Sequence, residues 1–242
     1  MLILASASPR RCDLLRAWGY TFCRRSVEAD ESFPDGVCPR EGVKMIALRK
    51  AKALIAGSFV HDLTLHAPAE KPICSGELPS VGESVFVRQG PVVLAADTLV
   101  VLRGAVLGKP RNRAHAREML LSLSGKTHTV LTGVAVMASV RGGDQTWHET
   151  ARSVTLGQSI EWMPPTTRAE ATLVEFVRLS DEIIEWYLDT GEGTDKAAGY
   201  AIQGLGSRLI ARRQGSESNV IGLPMEVVTS ILDSLGVRRN VT

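Results

Sequence analysis

Leu2-Ile3-Leu4-Ala5-Ser6-Ala7-Ser8-Pro9-Arg10-Arg11 reads as a strand, a turn and the start of a helix. Leu2–Ala5 is apolar without alternation, the pattern of a strand buried on both faces. Ser8 is placed to cap the helix and Pro9 to be its first residue, with Leu14, Leu15 and Trp18 turned inward and Gly19 as the stop. No basic segment precedes the apolar run, and Arg10 and Arg11 cut it short. It is too short for a secretory core or a membrane span and is read as a strand of the folded protein.

Working outward, Tyr20–Arg24 is a second candidate strand, followed by a polar loop through Asp30, Glu31 and Pro34. A helix is predicted over Glu41–Ala56, with Val43, Ile46, Ala47, Ala51 and Leu54 along one stripe. Gly57–Gly90, with Pro68, Pro72 and Pro79, reads as an insertion at about 57–90. Val92–Ala96 is a second fully apolar strand, expected to end at Asp97 and Thr98. Short strands at Leu99–Leu102 and Ala105–Leu107 flank a turn. Asn112 is predicted to cap a helix reaching Leu123, and Thr129–Val140 with Gln145–Leu156 to form an antiparallel hairpin. Ser180 opens another helix, Leu209–Arg212 a strand, and Pro224 a last helix to Leu235. The order is α/β with a strong antiparallel component rather than a regular βαβ repeat.

With 242 residues, 44% of them hydrophobic and 22% charged, the chain has an ordinary globular balance. It is read as a single domain over 1–242. A formal charge of +2 gives no electrostatic ground for a stable nucleic-acid partner, though a nucleotide needs only a local basic pocket. Cys12, Cys23, Cys38 and Cys74 show no zinc spacing and suit a reduced, intracellular chain. No membrane association is expected.

Three places carry candidate chemistry. The helix start at Ser8, with Arg10 and Arg11 beside it, offers backbone N–H groups and guanidinium forks to phosphate oxygens; solvated arginines on a capped helix are the alternative. Asp97, at the end of an apolar strand, is suited to hold a cation or orient a water, or equally to cap a turn. Glu31 is the other loop carboxylate able to join it. Lys109, between Gly108 and Pro110, is suited to neutralise a phosphate or to lie exposed. Lys50 and Lys52 stand two apart on a helix, so only one of them can face a given pocket. Gly125-Lys126-Thr127 lacks the upstream glycine of a P-loop, and His148-Glu149 lacks the second histidine of a zinc-protease helix.

The segments Leu4–Arg11, Ala96-Asp97-Thr98, Gly108-Lys109-Pro110, Leu123–His128, Asp195-Lys196-Ala197, Tyr200–Gly204 and Val220–Pro224, together with Lys52, resemble in order the signature of the Maf family of nucleotide pyrophosphatases. That resemblance implies an elongated α/β fold like that of inosine triphosphate pyrophosphatases, a mixed twisted sheet with two lobes around a central cleft. It implies a cytoplasmic house-cleaning enzyme, often a homodimer, that cleaves nucleoside triphosphates to the monophosphate and pyrophosphate with Mg²⁺ or Mn²⁺. It assigns phosphate contacts to Ser8, Arg10, Arg11, Lys52 and Lys109. Asp97 matches the catalytic carboxylate, with Thr98 beside it, and Glu31 matches a glutamate near the metal. Gln203, within Ile202-Gln203-Gly204, is similar to the base-reading position of the branch acting on dTTP and UTP. A branch acting on methylated GTP usually has glutamate there and stands as one alternative; a nucleotide- or nucleic-acid-binding regulator without turnover is the other. The chain departs from the family pattern at Gly193, Ala198-Gly199 and Glu217.

Overall fold

The computed structural model describes residues 1–57, 89–141 and 160–240. The insertion at 57–90, apart from its ends, lies outside the described residues, as do the turn at Gly142-Gly143 and the expected partner strand Gln145–Leu156. The elements run β1 Leu2–Ala5, α1 Pro9–Ala17, β2 Phe22–Arg25, α2 Pro39–Ala56, β3 Gln89–Leu102, β4 Ala105–Leu107, α3 Arg113–Leu123 and β5 Thr127–Arg141. They continue as β6 Ile160–Trp162, β7 Thr166–Phe176, α4 Asp181–Asp189, β8 Ile210–Gln214, α5 Glu217–Ile221 and α6 Met225–Ser234. Two short 3-10 turns lie at Ala197–Gly199 and Gly204–Leu209.

The strands form one mixed sheet of order β2-β1-β3-β5-β7-β8, with β4 on β3 and β6 on β5. Among the described residues only β1 pairs in parallel, with β2 on one side and β3 on the other. The side-chain period of two divides β3 between two helical layers. Val92, Leu94 and Ala96 pack with Cys12 and Leu15 of α1 and Val228, Ile231 and Leu232 of α6. Val93 and Ala95 pack on the opposite face, against Ala47, Ala51 and Leu54 of α2. A further core under α3 and α4 gathers Val100, Val130, Leu120, Leu123, Ile184 and Tyr187. Among the described residues no helix is long and apolar enough to cross a membrane.

The helix starts follow the capping logic. Asn112 accepts the His115 N–H at 2.8 Å, Ser180 accepts that of Ile183 at 3.4 Å, and Pro9 opens α1. Two readings are corrected. β3 does not end at Asp97: its pairing with β5 continues through Asp97↔Gly133 and Thr98↔Thr132 as far as Val101↔Thr129. β5 carries β3 on one edge and, on the other, β7 from Thr127↔Glu175 to Val136↔Thr166 with β6 beyond it, so both of its edges are taken where a hairpin partner is expected. In β7, Thr172, Val174 and Phe176 are buried in alternation with exposed Leu173 and Glu175.

His128 sits in the core under α3 and α4, 2% exposed, with Nε2 2.7 Å from the Tyr200 hydroxyl and Phe176 edge-on to it. Burial pushes its imidazole down to about 4. The unfolded chain takes up that proton near pH 6.5, whereas the folded one resists it until about pH 4. The stability this group contributes is therefore complete above about pH 6.5 and falls by roughly 1.4 kcal/mol per unit as the pH drops toward 4. Thermal unfolding followed from pH 7 to 4.5 should show a steeper decline in wild type than in His128→Gln. Parallel curves would remove His128 as the source.

Candidate active site

β1 stops at Ala5, opposite Ala95, while β4 joins the same edge of β3 only at Val100–Leu102. Between them Ala96–Leu99 have no strand neighbour on that side among the described residues. The gap lies at the carboxyl end of β1, where α1 begins, the usual position of a ligand site in an α/β sheet. A cavity of about 550 Å³ opens there. Among the described residues five basic side chains line it, Arg10, Arg11, Lys50, Lys109 and Lys196, against three carboxylates, Glu31, Asp97 and Asp195. Lys196 and Asp195 pair with each other.

Because β3 alternates, Asp97 faces α2 and Thr98 faces α1, and both border the gap. The α2 side is built by close approach. A Cβ on Gly133, the residue paired with Asp97, would stand 2.4 Å from the Val43 carbonyl oxygen of α2. Glycine there lets α2 lie directly on the sheet, and two turns along that helix Lys50 reaches the carboxylates. Its Nζ lies 2.6 Å from Asp97 Oδ1 and 2.8 Å from Glu31 Oε1. The hydrogen bond from Lys50 holds the Glu31 carboxyl below the usual carboxylate range, with the charges of Lys50, Lys109 and Arg11 adding to it. Lys109 Nζ stands 3.7 Å from Glu31 Oε2 and its side chain is largely exposed.

On the α1 side, Arg11 donates from Nε to the Gly222 carbonyl at 2.8 Å, from Nη1 to Ser6 Oγ at 3.3 Å and from Nη2 to Thr98 Oγ1 at 3.2 Å. Burial lowers its pKa, while Asp97 and Glu31 act in the opposite direction. Arg10, one residue away, also has its pKa lowered by burial, with Tyr187 and Glu192 counteracting. Among the described residues Arg10 makes no hydrogen bond or ion pair, so its fork is available to a ligand. Ser8 makes no side-chain cap bond, and its residue lines the cavity.

The structure thus brings together Ser8, Arg10, Arg11, Glu31, Asp97, Thr98 and Lys109. It does not bring in Lys52, which is exposed and outside the lining. At about 100° per residue, two positions turn a side chain some 200° around the helix, and Lys50 is the member of the pair that faces the cavity. Gln203 is also exposed and outside the lining, whereas its neighbour Ile202 lies within it. Sequence reasoning missed Tyr200, Val130 and Val220 as cavity walls. Tyr200 and Val220 stand at the heads of two of the signature segments, the signal that could have found them, whereas nothing local marks Val130 within β5.

Fold and site define an α/β protein with a basic, carboxylate-containing cavity suited to a polyphosphorylated small molecule. The chain belongs to the Maf family: the family model described as Maf-like protein matches residues 1–235. It is 39% identical over 237 residues to a protein of Desulfitobacterium hafniense named dTTP/UTP pyrophosphatase, covering 98% of this chain and 86% of that one. A protein of Symbiobacterium thermophilum with the same name is 39% identical over 236 residues, covering 97% and 94%. One from a Shewanella species, also so named, is 35% identical over 242 residues, covering 98% and 99%.

Proposed function

We propose that this protein hydrolyses nucleoside triphosphates to the monophosphate and pyrophosphate, with dTTP and UTP as preferred substrates. The observation that carries the reading is the Lys50 ammonium held between Asp97 and Glu31 in a cavity that Arg10, Arg11 and Lys109 also line. The pyrimidine preference is supported by the names of relatives that align over almost their whole length.

The triphosphate lies against the α1 start, with Arg10 and Arg11 taking phosphate oxygens and Lys109 neutralising the far end. A water oxygen bonds to the α-phosphorus, the bond from that phosphorus to the α–β bridging oxygen breaks, and pyrophosphate leaves. The proton given up by the water passes to a carboxylate, for which Asp97 is the candidate, its Oδ1 held in place by Lys50. The basic side chains stabilise the charge that builds on the leaving pyrophosphate.

Glu31 and Asp97 offer carboxylate oxygens, the donor type a hard divalent cation takes, in addition to those that accept from Lys50. Among the described residues no group of three or more His, Cys, Asp or Glu is gathered to hold a metal, but Mg²⁺ commonly takes only one or two carboxylates and completes its shell with substrate phosphates and water. Glu31 and Asp97 would hold Mg²⁺ or Mn²⁺, which when bound neutralises phosphate charge and activates water. The cavity is read as the cleft of an elongated, two-lobed fold like that of inosine triphosphate pyrophosphatases. The long strands β3 and β5 support this, since they carry one core under α1 and α6 and another under α3 and α4. A cytoplasmic homodimer completes the proposal.

Pyrophosphate release from dTTP, UTP, CTP and methylated GTP, each with and without Mg²⁺ or Mn²⁺, tests it. Cation-dependent turnover with the highest kcat/KM for dTTP or UTP is the expected result. A preference for methylated GTP would overturn the substrate assignment, and no turnover in any condition would favour a binding protein.

A further inference from the structure

We infer that Thr132 and Asn219, neither of which lines the cavity, are positioning residues that hold the Arg11 guanidinium in its ligand-binding orientation through a one-way chain of hydroxyls. The inference rests on reading the cavity as a polyphosphate site. Both residues are fully buried, and both lie on elements other than the one that carries Arg11.

The direction of the chain follows from counting hydrogens. A threonine hydroxyl has one hydrogen to give and lone pairs to accept with. Thr132 gives its hydrogen to the Asn219 backbone carbonyl at 2.8 Å. Toward Thr98, 3.0 Å away across the β3–β5 pairing, it can then only accept. Thr98 therefore donates to Thr132 and turns a lone pair to Arg11 Nη2 at 3.2 Å. Every hydroxyl rotor between Arg11 and α5 is fixed by the one after it.

The far end of the chain is itself immobilised. The Asn219 amide donates to the Val130 carbonyl at 3.1 Å and to Thr172 Oγ1 at 2.9 Å, tying α5 to β5 and β7. Thr172 passes its own hydrogen to the Ser216 carbonyl at 2.9 Å, just before α5. Ser216 Oγ accepts the Asn219 N–H at 3.2 Å. The residue after α5, Gly222, takes the Arg11 Nε hydrogen directly. One short helix thus grips the guanidinium twice, once by a carbonyl and once through two threonines. With Ser6 as third acceptor, two of the five guanidinium hydrogens are left for a ligand among the described residues. Holding the fork in advance spares the ordering cost that binding would otherwise bear.

The test compares wild type with Thr132→Val, which keeps the shape and removes the hydroxyl, and Thr132→Ser, which keeps the hydroxyl. Three quantities are read: the Kd for inorganic triphosphate by calorimetry, KM and kcat separately for dTTP, and thermal unfolding. Thr132→Val should weaken triphosphate binding and raise KM by about five- to tenfold, the scale of one lost buried hydrogen bond, with kcat changed by less than about threefold. Thr132→Ser should restore both constants to within about twofold of wild type. If Thr132→Val does not fold, Thr132→Ser and Thr132→Ala serve as the pair, since they lose the same methyl group and differ only in the hydroxyl. A hydroxyl-free variant that binds triphosphate as wild type does, or a serine variant as defective as the hydroxyl-free one, overturns the inference. Absence of both triphosphate binding and pyrophosphate release in the wild type would defeat the reading of the cavity and this inference with it; an intact wild type with an unchanged valine variant defeats this inference alone.

Discussion

Replacing Asp97 by asparagine should lower kcat by about 10²–10⁴-fold, the range spanned by a positioned general acid or base, and leave the protein folded. Asparagine keeps the shape and an oxygen able to accept from Lys50, whose Nζ lies 2.6 Å from Oδ1. Lys50 also retains Glu31 at 2.8 Å, so no buried ammonium is stranded. What is lost is the negative charge, and with it the acceptor for the proton of the attacking water. Asp97→Ala removes the oxygens as well and should cost stability, by about 1–3 kcal/mol, the scale of a buried donor losing one acceptor while the Lys50 charge keeps Glu31 as its partner. Turnover and thermal unfolding measured on both variants separate the two effects. Near-wild-type turnover in Asp97→Asn would end the assignment of Asp97 to the chemistry. Loss of folding in the asparagine variant would show that its charge is needed chiefly for the architecture around α2.

Local rules made much of the framework legible. The all-apolar runs at Leu2–Ala5 and Val92–Ala96 are buried on both faces of the sheet, and the caps at Asn112 and Ser180 stand where a short polar side chain meets an amphipathic run. β7 was not legible in the same way, because Arg168, Glu170 and Glu175 on it carry charge and only its second half alternates cleanly between buried and exposed positions. Asp97 drew attention as a carboxylate at the end of an apolar run, but the gap it faces exists because β1 stops at Ala5 and β4 joins later. Strand register decides that, and register is a property of the sheet rather than of either segment. The polar chain from Arg11 to Asn219 joins residues more than two hundred positions apart, and no periodicity within either segment signals it.

Lys50→Met should reduce kcat/KM by at least about a hundredfold, the scale of losing one charged group aimed at developing charge in a secluded site, whereas Lys52→Met should leave it within about twofold, as expected of a solvated side chain. The two lysines flank Ala51 on α2, and resemblance alone placed the phosphate role on Lys52. Helix geometry and burial favour Lys50 for that role. The Lys50 side chain is 10% exposed and its ammonium touches both carboxylates of the cavity, while Lys52 is exposed and outside the lining. Methionine preserves most of the Lys50 stem, so packing against the sheet survives and the change is chiefly electrostatic. Without the ammonium, Asp97 and Glu31 face each other as like charges. Asp97 loses the partner that fixes its Oδ1, and Glu31 loses the hydrogen bond that most lowers its pKa. The Glu31 carboxyl should then titrate nearer its ordinary value, and the acid limb of the kcat/KM profile should move to higher pH in whatever activity remains. Steady-state kinetics from pH 5 to 9 on both variants provide the comparison. Equal losses at the two positions, or a larger loss at Lys52, would return the phosphate role to Lys52 and require α2 to turn on its axis when substrate binds.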